Sequence, residues 1–365
     1  MTQSTAIELP GPGKLEFTFE ELMASHTYEE PLVAGDVLCH GGFIGGQYVS
    51  PRTLVRVPAI RNWQQRLRDE KQPLLDLPRA YVPPQYPSYE QAKLLIQEGV
   101  RDPITRALTI ISIVEGFGAR IRDFPRPDFH KEIKEDIGGT AIAHLATGLY
   151  EAHARDEAGH RTEGGHKQMW EAARDLGLNK PEIPGDVLMQ MMSGGGRRRG
   201  SGKRLYPALT ERMEAILTIM ANVMIVEIFA EDVFEWGKRL LGDPEISANP
   251  AAASGMVANI QSDEKPHVEY LRTALSEIRA RTLLGADGRE LPGREVIDRI
   301  FETQLRGIAS ARPEEQREQL RRDIHEGLKD EARATELRRK FESLDSGWVF
   351  PRGEHEKLDL LLVPA

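Results

Sequence analysis

Two acids stand alone in the middle of apolar runs. Glu115 lies within Ile110-Ile111-Ser112-Ile113-Val114-Glu-Gly-Phe, and Glu227 within Met224-Ile225-Val226-Glu-Ile-Phe-Ala. A carboxylate in a core must be paired or must hold a metal, and each of these alone is equally well explained by a core salt bridge. Reading on along the chain changes the balance. After Glu115 comes Asp156-Glu157-Ala158-Gly159-His160, and after Glu227 comes Asp263-Glu264-Lys265-Pro266-His267. Each is Asp-Glu-x-x-His, in which residues three apart share a helix face. Glu157 and His160, like Glu264 and His267, are therefore expected to aim at one inward position.

The elements that position these residues begin near Asp102-Pro103. Upstream, residues 1–100 are rich in Pro and Gly, with short extended pieces expected around Tyr48, Val55 and Val57 and helices over Phe17 to Met23 and Ile60 to Leu67. Four long helical segments follow: Ile104 to Asp123, Thr140 to Leu176, Pro207 to Leu241 and Ala251 to Leu284. Their apolar centres imply a bundle. Residues 291–365 are read as a C-terminal helical extension and tail. Its charged stretch, Arg294 to Leu344, suits a solvated packing helix or a homodimer contact. The expected fold is thus mainly α: a four-helix bundle over 101–290, with an irregular N-terminal extension packed on it and a helical extension after it. One Glu from each of two helices, plus Glu-x-x-His from each of the other two, is the ligand set by which such a bundle holds two metal ions.

On these motifs the chain resembles the ferritin-like di-iron carboxylate proteins, from Ile104 to Leu284. That group includes soluble methane monooxygenase-type hydroxylases, acyl-carrier-protein desaturases, arylamine N-oxygenases and the small subunit of ribonucleotide reductase. The resemblance implies two iron ions (manganese being the alternative) held by Glu115, Glu157, His160, Glu227, Glu264 and His267, with Glu227 as a candidate bridge. It also implies that Asp156 and Asp263 hold the ligand histidines by hydrogen bonds. Gly159 and Pro266 stand where the oxygenase pattern often has Arg. The implied activity is O₂-dependent oxidation of a small organic substrate: hydroxylation, N-oxygenation, desaturation or oxidative cleavage. The other class is a ferroxidase, a peroxide-handling bundle or a radical-generating subunit. The last wants a tyrosine one turn after the first ligand His, where this chain has Gly164.

Several neighbours bear on the site. His153 lies four residues before Glu157 on the same stripe and is either an extra ligand, as in the N-oxygenases, or a pocket histidine. Tyr150 shares the stripe and is a donor, a redox residue or a core tyrosine. Glu231, one turn past Glu227, is the alternative ligand from its helix. Pro266 would cost an interior helix about 3 kcal/mol, so a helix starting at Ser262 competes with a kink at a functional site. Gly116, Gly118 and Gly159 leave space beside the acids or permit tight packing. Cys39-His40 lacks a partner motif and reads as structural. The stretch Ser193 to Lys203 imitates a phosphate loop, but Arg204 stands where Ser or Thr should bind magnesium. It is read as a solvated loop.

Composition limits the classes. With 365 residues and a net charge of −9, the chain is large enough for a sizeable core and ill suited to broad nucleic-acid binding. One cysteine cannot ligate an iron–sulfur cluster, so electrons are expected from a separate reductase or ferredoxin. No unbroken run of about 18 apolar residues and no signal-like start are present, so a cytoplasmic location without a membrane partner is expected.

Overall fold

The computed structural model describes residues 9–183, 204–310, 313–348 and 361–363. The stretch from Ser193 to Lys203 lies outside them. The structure is mainly helical, at 61% helix, with a few small strands.

Near the N-terminus a three-stranded antiparallel sheet is built from β1 (Glu30–Ala34), β2 (Val37–Ile44) and β3 (Gln47–Val49), in that order. Two helices follow, α1 (Arg56–Asp69) and α2 (Tyr89–Gln97). Tyr48 falls in β3, but Val55 and Val57 belong to the start of α1 rather than to a strand. Val55, Ala59, Ile60, Trp63 and Leu67 supply a buried stripe at helical spacing. The helix expected from Phe17 is a single turn, Phe19–Leu22, closed by a capping box between Thr18 and Glu21.

Long helices carry the rest. α3 (Asp102–Gly118) starts with Pro103 in its first turn and tightens into a 3₁₀ turn at Ala119–Asp123. The segment expected to run unbroken from Thr140 to Leu176 is divided. A short helix, Ala141–His144, passes through a wide π turn at Leu145–Leu149 into α4 (Tyr150–Ala158). α4 stops at Gly159, and α5 (His166–Leu178) begins seven residues later. α6 (Glu211–Leu241) and α7 (Pro250–Arg279) form an extensively packed pair, and α5 lies against both α3 and α7. Pro266 lies inside α7, so the alternative start at Ser262 does not occur. A β-hairpin, Thr282–Leu284 with Glu290–Pro292, replaces the expected end of the fourth helix. Three helices follow, α8 (Gly293–Ser310), α9 (Pro313–Gly327) and α10 (Glu331–Ser343), and the described chain ends in a strand, Leu361–Val363, antiparallel to Leu74–Asp76.

The apolar core falls into two large buried clusters, with a small third one formed by Leu67 and Leu74. One joins α1, the π-turn region, α6, α7 and α8, and the other joins α2, α3, α5 and the far ends of α6 and α7. α6 is long and apolar enough, by length and composition alone, to cross a membrane, although the expectation from the sequence was that no segment is. Its inward side chains, Met213 to Leu241, form part of both clusters, and a core helix passes the same test.

Candidate metal centre

Four helical elements bring the acids together. Glu115 comes from α3, Glu157 from α4, Glu227 from α6 and Glu264 from α7. Two overlapping groups contain these acids, each with its ligand atoms within 4.8 Å of one another: Glu115, Glu157, His166 and Glu264, and His153, Glu157, Glu227 and His267; a third group, His40, His166 and Asp263, lies behind His166. Glu157 belongs to both. Glu264 reaches both as well, with Oε1 2.8 Å from His166 Nδ1 and Oε2 2.7 Å from His267 Nδ1.

The histidine of the first motif is not the expected one. His160 lies outside both groups, in a turn where it exchanges backbone hydrogen bonds with Glu163 at 2.9 and 3.0 Å. The reason is Gly159, whose φ of 78° ends α4 before a further helical turn can form. His166, fully buried at the first position of α5, stands in its place. The turn is pinned by the N-terminal sheet. His40 N–H donates to the Gly164 carbonyl at 3.0 Å, and Gly164 N–H donates to the Leu38 carbonyl at 2.8 Å.

Each histidine is backed by the acid of the opposite motif, through a hydrogen bond at His267 and a longer approach at His166. His267 Nε2 lies 2.9 Å from Asp156 Oδ2, leaving Nδ1 facing the acids. His166 Nε2 lies 3.4 Å from Asp263 Oδ2, with Nδ1 again turned inward. Asp156 is gripped by two buried cations from the N-terminal region. Arg52 Nε donates to Oδ1 at 2.7 Å, and Arg56 lies 2.8 Å from Oδ2. Asp263 accepts from the Tyr48 hydroxyl at 2.8 Å and faces His40 Nε2 at 3.4 Å. The sequence reading missed His166, Arg52, Arg56, Tyr48 and His40. Tyr48 reads there only as part of an extended piece and Cys39-His40 only as structural, yet both Tyr48 and His40 lie against Asp263.

The remaining residues divide. His153 Nε2 is 3.6 Å from Glu227 Oε1, while its Nδ1 is 3.4 Å from the Tyr270 hydroxyl. Tyr150 is buried edge-on to Tyr270, at 6.4 Å between ring centres, and joins neither group. Glu231 points to the surface and accepts from Gln261 at 2.7 Å. Trp170 Nε1 donates to Glu115 Oε1 at 3.2 Å. A Cβ at Gly118 would come within 2.8 Å of Glu157 Cγ, so this glycine does make space beside an acid.

Charges in this interior are strongly coupled. Burial, reinforced by the neighbouring carboxylates, pushes Glu115 and Glu227 well above the usual carboxylate range. Burial would do the same to Asp156, but Arg52 and Arg56 outweigh it and hold the acid well below that range. His166 and His267 are pulled up by Glu264 and the other acids against their burial. His153 is pushed down to about 3 by burial and by the charge on His267.

The donor set fits a pair of cations. His153 Nε2, Glu157 Oε1, His166 Nδ1 and Glu264 Oε1 are all buried and have no partner in hydrogen-bond geometry, and all belong to the two groups. Buried polar atoms without partners are rare, and these are oxygens and imidazole nitrogens suited to binding a metal. Four carboxylates would balance two divalent ions. Comparison of the chain with protein-family models, with curated proteins and with solved structures finds no match.

Proposed function

We propose that the chain is a non-haem di-iron oxidoreductase on a ferritin-like four-helix bundle formed by α3, α4–α5, α6 and α7. It would activate O₂ to oxidise a small organic substrate. The observation that carries this reading is the pair of overlapping buried ligand groups sharing Glu157. Glu115, Glu157, His166 and Glu264 would hold one ion, and His153, Glu157, Glu227 and His267 the other, with Glu264 able to span both. Iron in such a site supplies the electrons and Lewis acidity that O₂ chemistry needs, with manganese the alternative.

The chain's own part is positioning. With ions bound, Asp156 would accept the His267 Nε2 proton and leave Nδ1 for an ion, and Asp263, 3.4 Å from His166 Nε2, would orient that ring in the same way. The two Arg–Asp156 pairs keep that acid ionised within the core. Around the acids, the two apolar clusters exclude water, which strengthens every charge interaction inside. Reducing equivalents would come from a separate protein, since a lone cysteine cannot build an iron–sulfur cluster. The lengths outside the bundle, residues 1–100 and 291–365, favour a substrate enzyme over a storage bundle, and the location proposed is the cytoplasm.

Iron analysis of the purified, iron-loaded chain should give about two ions per chain, and Glu157→Ala and Glu264→Ala should each lose them. O₂ uptake by the reduced, loaded chain then separates the classes. An oxygenase forms organic product in step with O₂ consumed, whereas a ferroxidase turns over many Fe²⁺ per chain without one. Absence of bound metal after loading would remove both.

A further inference from the structure

We propose that a second ligand site, for an organic anion with an apolar body, lies behind α7 on the side away from the acids. A cavity of about 560 Å³ opens there between β3, α1 and α7, within the size range of small-molecule sites. Val57, Ile60 and Pro266 give it an apolar wall. Arg61 and Lys265 line it too, and both are exposed with no carboxylate partner among the described residues. The one acid in the lining, Glu269, is already engaged. It accepts from Gln64 at 2.7 Å and from Arg272 at 2.9 Å. What remains is an apolar hollow with two uncommitted cations at its wall, which suits a carboxylate or phosphate head on a hydrocarbon body.

Two further features make this a built hollow. Ser50 and Ser262 approach across it, with their hydroxyl oxygens 3.3 Å apart. Pro266, costly inside a helix, has no N–H to give the Ser262 carbonyl, so the usual helical bond is missing at the same wall. The site is independent of the metal reading, because Ser262, Lys265, Pro266 and Glu269 occupy the helix face opposite Glu264 and His267. Tyr48 is the link between them: it lines the cavity and donates to Asp263.

Calorimetric titration of the full chain without added metal, using octanoate, octyl phosphate and 1-octanol, tests the proposal apart from any activity. One equivalent of at least one of the two anions should bind about tenfold or more tightly than the alcohol. The stronger of the two identifies the head group. Arg61→Gln with Lys265→Gln should bring that anion down to the level of the alcohol while circular dichroism stays unchanged, since both side chains are exposed. Equal affinity for anions and alcohol, or full anion affinity in the double variant, would overturn the assignment.

Discussion

His166 and His160 separate two accounts of the same motif. If Glu-x-x-His supplied the ligand, His160→Ala would be the damaging change. The proposed centre predicts the opposite: His166→Ala should lower iron content by about one ion per chain, and His160→Ala should leave it unchanged, both read by metal analysis. Behind His267 stands Asp156, where Asp156→Asn removes the charge that two buried arginines face. Leaving buried charges unpaired costs about 3–5 kcal/mol, so the melting temperature should fall. Iron affinity, measured against a competing chelator, should also drop about 10–100-fold. An unchanged melting temperature would show that Arg52 and Arg56 find other partners.

At the scale of elements, the ends of helices decide the site. Gly159 holds φ 78° and ψ −175°, a region that side chains resist, and a Cβ there would run into the Glu163 carbonyl. Gly159→Ala should therefore destabilise by more than about 1–3 kcal/mol and displace His166, which denaturant titration and metal content would both register. The long helices and their lone central acids were legible in the sequence because a 3.6-residue apolar period and a buried charge are local patterns. The division of the second helix was not. Reading Glu157 to His160 as one helical turn overlooked the Gly159 and Gly164-Gly165 that break it, and a ligand from the following helix has no fixed spacing. Val55 and Val57 misled for a related reason, since β-branched residues are only weak evidence for a strand when α1 offers them a buried face. Pro266 went the other way: its local cost pointed to a helix start, but packing along all of α7 overrides it.

Across the whole molecule, the N-terminal hundred residues complete the site. Arg52 and Arg56 hold Asp156, Tyr48 and His40 hold Asp263, and β2 pins the turn that delivers His166. None of these long-range partners could be read from spacing, since each lies about a hundred residues or more from the group it serves. The most direct measurement of the central claim is anomalous diffraction at the iron edge from crystals of the loaded full chain. Two peaks, both beside Glu157 and Glu264, with His166 at one and His153 and His267 at the other, are expected. A single peak, a peak at His160, or none between the four acids would contradict it.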